Sequence, residues 1–384
     1  MKSISLLSFL FLLVACATKT EVVNIDAGDI DHATSLKQTD FLKLKNIFQP
    51  DSCITIGNIN KVLVCDSLCY IVDEKLGKVT VVNQEGKFIN EINRRGRGNN
   101  EYLNIDDVFI DRERHELNLL SRGDQKIYIW NIKGSKLLRT ISVPKHFCAM
   151  TKTQDGYIGY MGNYTEDSSQ PYNFFMLDNR MNTKKGIVNI NSDTESRYNK
   201  DVSVFSTSGN TISFVQEYDY NLYRIEENTP YIACCIDFGN HSWPKSQKLF
   251  VDNPIEQMKL DAQYIKKIQR IQDTSKYLML FYNHQGRVYM SVCNKENNTG
   301  MCFALAEGIK ELFPASFGEI VGTDEHGVFC TIDAKAIHDL YRGKNEHNDF
   351  NEIYKDKMTA FRQNVGKVNY NNSNPYIIIY SIEE

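Results

Sequence analysis

The chain has 384 residues, 42% hydrophobic and 24% charged, with a formal net charge of −4 at pH 7. That apolar share supports a large buried core and argues against a disordered chain, while the mild acidity argues against nucleic acid as a partner. Tyr (21) and Phe (20) are abundant and Pro (8) is scarce, which favours strands.

Residues 1–15 read as a secretory signal peptide: Met1-Lys2-Ser3, an apolar run from Ile4 to Val14, then Ala15 before Cys16. The run is too short to cross a bilayer core, which needs about 20 apolar residues in a helix. Leu13-Val14-Ala15-Cys16 resembles the bacterial lipobox. The resemblance implies that the Cys16 thiol receives a diacylglyceryl group, that the chain is cut before it, and that the new amino group is acylated. The membrane is then a partner through the N-terminal lipid. Ala17, where an Asp would signal inner-membrane retention, implies the outer membrane, on its periplasmic or surface face. Residues 16–36 are polar without a sustained period, and the expectation is a lipidated flexible tether.

From residue 37 to 384 the chain repeats. Lys78-Val79-Thr80-Val81-Val82-Asn83 falls on Lys126-Ile127-Tyr128-Ile129-Trp130-Asn131 after a shift of 48 positions. Each copy is an alternating strand, a polar turn with glycine, and a second strand (Phe88 to Ile92; Leu137 to Ile141). Further copies begin near Tyr172, Asn221, Arg287 and Pro375, and each is preceded by an earlier strand pair. Repeats of about 40 to 50 residues built from four strands are propeller blades. The fold class is therefore all-β, a six-bladed β-propeller with four-stranded antiparallel blades. The last blade lacks one strand, and Phe41-Leu42-Lys43-Leu44-Lys45 is placed to close it, hiding sheet edges. Two insertions break the rhythm, at about 254–272 and 334–365, both with helical spacing. In the first, Asn253 caps, Pro254 starts, and Ile255, Met258, Ala262, Ile265, Ile268 and Ile271 share a face.

Gly86-Lys87-Phe88-Ile89, then Gly96-Arg97-Gly98-Asn99-Asn100-Glu101-Tyr102-Leu103 and Val108-Phe109-Ile110-Asp111, resemble the NHL-type repeat, in which a Gly-x-Gly-x-x-Glu-aromatic loop joins two blades. With the lipobox, the chain is similar to the six-bladed β-propeller lipoproteins of unknown function from Gram-negative bacteria. The motif-grade stretch is 70–111, and later blades do not repeat the glycine loop.

Chemical motifs are sparse. Arg94, Arg95 and Arg97 form the densest basic cluster, a candidate anion or partner contact or else loop residues that pair with acids such as Glu101. His115, His284 and His326 sit near turns and read as solvated. Of ten cysteines, nine remain beyond Cys16, without zinc spacing, and most read as small buried strand residues. No serine-nucleophile elbow, phosphate loop or metal motif appears, so the sequence assigns no catalytic residue and leans against an enzyme, and no cofactor or metal is expected. The leading functional reading is an envelope lipoprotein whose propeller binds or scaffolds a protein or saccharide. The alternative is a propeller hydrolase or lyase acting on exported carbohydrates or lactones. Acids with His or Asn gathered at the axis would favour the alternative.

Overall fold

The computed structural model describes residues 22–35, 42–195, 197, 203–305, 319–324, 327–341, 363 and 368–382. Three strands precede the first blade: β1 (Val23–Asp26), β2 (Thr34–Ser35) and β3 (Leu42–Phe48). Blade one holds β4 (Lys61–Cys65), β5 (Leu68–Asp73), β6 (Lys78–Asn83) and β7 (Phe88–Ile92). Blade two holds β8 (Asp107–Asp111), β9 (Glu116–Ser121), β10 (Lys126–Asn131) and β11 (Leu137–Ser142). Blade three holds β12 (Ala149–Thr153), β13 (Gly156–Tyr160), β14 (Tyr172–Asp178) and β15 (Thr183–Asn189). Blade four holds β16 (Phe205–Ser208), β17 (Thr211–Val215), β18 (Asn221–Glu226) and β19 (Thr229–Asp237). After α1 (Pro254–Gln263), blade five holds β20 (Ile268–Asp273), β21 (Tyr277–His284), β22 (Arg287–Asn294) and β23 (Thr299–Ala304). Blade six holds β24 (Glu319–Asp324), β25 (Gly327–Ile332) and, after α2 (Ala334–Tyr341), β26 (Tyr376–Ile382).

The expected ring is present: six antiparallel sheets of four blade strands each, the sixth ordered β24-β25-β26-β3. The N-terminal strand thus completes the last blade, with Leu42 opposite Ile382 and Phe48 opposite Ile377.

The blade pattern follows from strand alternation. Along β10, Ile127 and Ile129 pack into the seam with blade three, while Tyr128 and Trp130 pack into the seam with blade one. Along β5, Tyr70 and Val72 face blade two, and Cys69 and Ile71 face blade six. A middle strand is therefore apolar on both faces, and six apolar clusters fill the six seams. Cys65, Cys69, Cys148, Cys234, Cys293, Cys302 and Cys330 are buried, as expected of small strand residues.

Two expectations change. First, the stretch assigned to a flexible tether is ordered from residue 22 to 35. It straps two blades: β1 lies parallel to β19 with Val23 opposite Cys234, and β2 lies parallel to β23 with Thr34 opposite Phe303. Ile25, Ala27 and Ile30 are buried in the seam between blades four and five, and the Ala27 amide donates to the Asp237 carbonyl at 2.8 Å. The strap covers two exposed sheet edges. Second, the first insertion is helical only to Gln263. Asn253 caps the helix by accepting from the Ile255 and Glu256 amides, and Pro254 lies in its first turn, as expected. Tyr264 then turns extended at φ −119° and ψ 146°. Ile268 and Ile271 belong to β20, and a β-bulge between Ile268 and Arg270 puts both on one face, opposite Tyr282 and Leu280. An extra residue in a strand imitates the three-residue spacing of a helix. Ile255 and Met258 are exposed. Of the second insertion, α2 is described; 350–362 lies outside the described residues, as does Cys16.

Candidate functional site: the axial channel

Each blade contributes its first strand to the centre. β4, β8, β12, β16, β20 and β24 surround a cavity of about 810 Å³ lined by residues of all six blades. Ser203 and Arg270 form a parallel bridge across one seam, so neighbouring inner strands run the same way. Lys61, Asp107, Ala149, Ile268 and Glu319 thus mark one end of the channel; Cys65, Asp111, Asp273 and Asp324 mark the other.

At the first end, Lys61 Nζ of blade one donates to Asp107 Oδ1 of blade two at 2.8 Å and to the Val108 carbonyl at 2.9 Å. Asp107 Oδ2 accepts from the Met150 amide of blade three at 3.0 Å. One carboxylate therefore joins three blades. At the far end, Arg112 of blade two donates to the Val64 carbonyl of blade one at 3.1 Å and lies 3.7 Å from Asp324 of blade six. These charges act as latches across seams.

Arg270 is different. It is half-buried on the channel wall. Its Nη2 reaches only the Ile320 carbonyl, at 3.5 Å, and among the described residues no carboxylate lies within ion-pair distance. Burial pushes its pKa down to about 10, so it keeps its charge at neutral pH in a poorly solvated place. Glu319 lines the same end of the cavity and is exposed.

The inner strands of blades six and one meet closely. A Cβ on Gly322 would lie 2.2 Å from the Val62 carbonyl oxygen, so only glycine fits. Among the described residues no histidine lines the cavity. Among the described residues no group of three His, Cys, Asp or Glu side chains is placed to hold a metal ion.

The arginine cluster lies away from this lining, in the connection from blade one to blade two. Arg94 sits over the Trp130 ring at 5.3 Å. Arg95 donates to the Leu103 and Lys75 carbonyls at 3.2 and 3.3 Å, and Arg97 is exposed there. The loop holds its shape by a different contact from the expected arginine pairing: Glu101 accepts from the Gly98 amide at 2.7 Å. A Cβ on Gly96 would collide with that carboxylate at 2.0 Å. Of the turn histidines, His115 is exposed near Asp66, and His326 lies outside the described residues. His284 is buried, not solvated, against the His241 ring at 5.3 Å. The residues that the sequence reading missed are Lys61, Asp107, Arg112, Arg270 and Asp324. Their one signal is position, in or next to each unit's first strand.

No curated protein matches the sequence. Among solved structures, the chain is similar to a crystal structure of a protein from Bacteroides fragilis NCTC 9343 that is named as exported. The TM-score is 0.74 at 15% identity, covering 94% of this chain and 100% of that one. A member of the DUF4221 family from Bacteroides vulgatus ATCC 8482 aligns at a TM-score of 0.47 and 9% identity, covering 89% and 98%. At such identities the likeness concerns the fold alone. No helix among the described residues is long and apolar enough to cross a membrane. The family model described as "Domain of unknown function (DUF4934)" matches residues 29–381, and the chain belongs to that family.

Proposed function

We propose that this protein is an exported, lipid-anchored binding propeller of the cell envelope, of the NHL-like lipoprotein kind, which holds a saccharide over and within its axial channel. The lipobox ending at Cys16 supports the anchor, and the Bacteroides fragilis protein of like fold is named as exported. The observation that carries the binding reading is the axial cavity. At about 810 Å³ it has the size of a small-ligand site, and all six blades contribute polar groups to it. It is too enclosed for a broad protein face, which would need about 800 Å² per partner.

The hydrolase or lyase reading finds less support. It draws on the five acids (Glu74, Asp106, Asp107, Glu319 and Asp324) and the asparagines (Asn58, Asn60 and Asn283) that line the channel, but Asp107 and Asp324 are engaged with Lys61 and Arg112, and among the described residues no histidine lines it as a proton carrier.

Two variants test the proposal. Cys16→Ala should release the protein from membranes and abolish incorporation of labelled palmitate; retention of both refutes the anchor. Thr207 is exposed on β16 and lines the cavity, so Thr207→Trp plugs the channel while sparing the core. Wild-type protein should bind members of an immobilised glycan panel, and Thr207→Trp should lose them with an unchanged melting temperature. Equal binding by the plugged variant, or binding only to envelope proteins, overturns the reading.

A further inference from the structure

From a guanidinium on the channel wall that has no ion-pair partner among the described residues, we infer that the channel's ligand carries a single carboxylate on a sugar ring, a uronic acid, and that Arg270 is the residue that binds it. This rests on the binding reading above and specifies the ligand class.

The first argument is electrostatic. Three cations (Lys61, Arg112 and Arg270) and five acids (Glu74, Asp106, Asp107, Glu319 and Asp324) line the cavity. Lys61 is matched by Asp107 and Arg112 by Asp324. Arg270 has no carboxylate partner among the described residues and uses one of its five N–H donors, weakly. A guanidinium held in a poorly solvated wall with its donor fork unused is suited to a planar carboxylate, which it meets with two parallel hydrogen bonds.

The second argument is backbone geometry. β20 carries a bulge between Ile268 and Arg270, where Arg270 lines the cavity. Across the seam, β24 carries another, between Ile320 and Gly322. The inner strands of blades one to four pair with their neighbours without any such shift. The irregularities of the inner ring therefore converge where Arg270 meets Ile320, and bulges recur where a strand re-aims a side chain toward a ligand.

The third argument concerns the body of the ligand. Ser203, Thr207, Asn283 and Thr323 supply hydroxyl and amide groups, while Phe281 and Phe329 supply apolar surface. That mixture matches a polyol ring. The five lining acids outnumber the three cations, which weighs more against a doubly charged phosphate than against a singly charged carboxylate. Glu319, exposed at the same end, opposes an incoming anion.

The test uses the mature protein and saturation-transfer NMR with four probes, glucuronate, galacturonate, glucose and galactose, and with inorganic phosphate as a competitor. At least one uronate should bind, its neutral parent about tenfold more weakly or not at all, and phosphate more weakly than the uronate. Arg270→Gln should lose about tenfold or more of the uronate affinity with an unchanged melting temperature. Glu319→Gln should strengthen uronate binding and leave the neutral sugars unaffected. Binding of neither uronate, equal binding of sugar and uronate, equal binding of phosphate, or unaltered affinity in Arg270→Gln overturns the inference. If the uronates fail while Thr207→Trp still abolishes glycan capture, the uronate assignment falls and the channel reading stands.

Discussion

Replacing Asp273 tests the idea that blades four and five are joined by charge as well as by apolar packing. Asp273 ends β20, and its carboxyl is 3% exposed. Arg224 of blade four donates to it twice, at 2.8 and 2.9 Å, Lys295 lies at 2.6 Å, and Ser213 of blade four adds a hydroxyl donor. Burial alone would raise the carboxyl's pKa, but Arg224 and Lys295 outweigh it and the net direction is downward. Asp273→Ala leaves two cations facing a dry seam, at a cost of about 3–5 kcal/mol. An unfolding entropy of about 2.1 cal/mol/K per residue over roughly 350 residues is about 0.7 kcal/mol/K, so the melting temperature should fall by about 4–7 °C. Because the folded pKa is lowered, the contribution is present above the unfolded value near 3.9 and is lost as pH falls through the folded one. The gap between wild type and variant should therefore hold constant from about pH 5 to 8 and close below about pH 4. Circular-dichroism melts across that range give the answer. A drop under about 1 °C, or a gap that persists at low pH, refutes the reasoning. The joint variant with Leu at 273 and 224 and Met at 295 should recover much of the loss, because it removes the stranded charges.

Other consequences can be measured on the same protein. Gly322→Ala should cost about 1–3 kcal/mol in a thermal melt, because its Cβ collides with the Val62 carbonyl. Ile25→Asp, at a site 3% exposed, should make residues 22–35 cleavable by protease while the propeller still melts cooperatively; a protected strap would show that apolar burial does not hold it. His241 Nε2 donates to the Asp31 carboxylate of the strap at 3.0 Å. Burial works to lower its pKa, but Asp31 and the Gln263 carbonyl prevail and raise it. That contribution is complete below the unfolded value near 6.5 and is lost as pH rises through the folded one. Strap amides should open more readily at pH 8 than at pH 6 after correction for intrinsic exchange, and His241→Gln should remove the difference.

Much of the architecture was readable because blade periodicity is a backbone matter. The shift that carries Lys78–Asn83 onto Lys126–Asn131 marks two third strands, β6 and β10, at equivalent places. Phe41–Lys45 was recognisable as a closing strand because blade six was visibly short. The strap was missed because β1 and β2 are only four and two residues long, and parallel pairing along a sheet edge is carried by backbone groups that leave little trace in composition. Its trace was the alternation of Ile25 and Ala27, buried side chains in a polar stretch. Ile265, Ile268 and Ile271 misled because a bulge and a helix share a spacing. The channel was illegible because Lys61, Asp107 and Arg270 lie far apart in sequence, and only the closure of the ring brings their strands to one axis.

Amide hydrogen exchange of the mature protein, with and without a saccharide captured on the glycan panel, tests the central claim most directly. The account predicts slowed exchange in the inner strands, Lys61–Cys65, Asp107–Asp111, Ile268–Asp273 and Glu319–Asp324, and none of it in Thr207→Trp. Protection confined to the outer strands or the strap would contradict it.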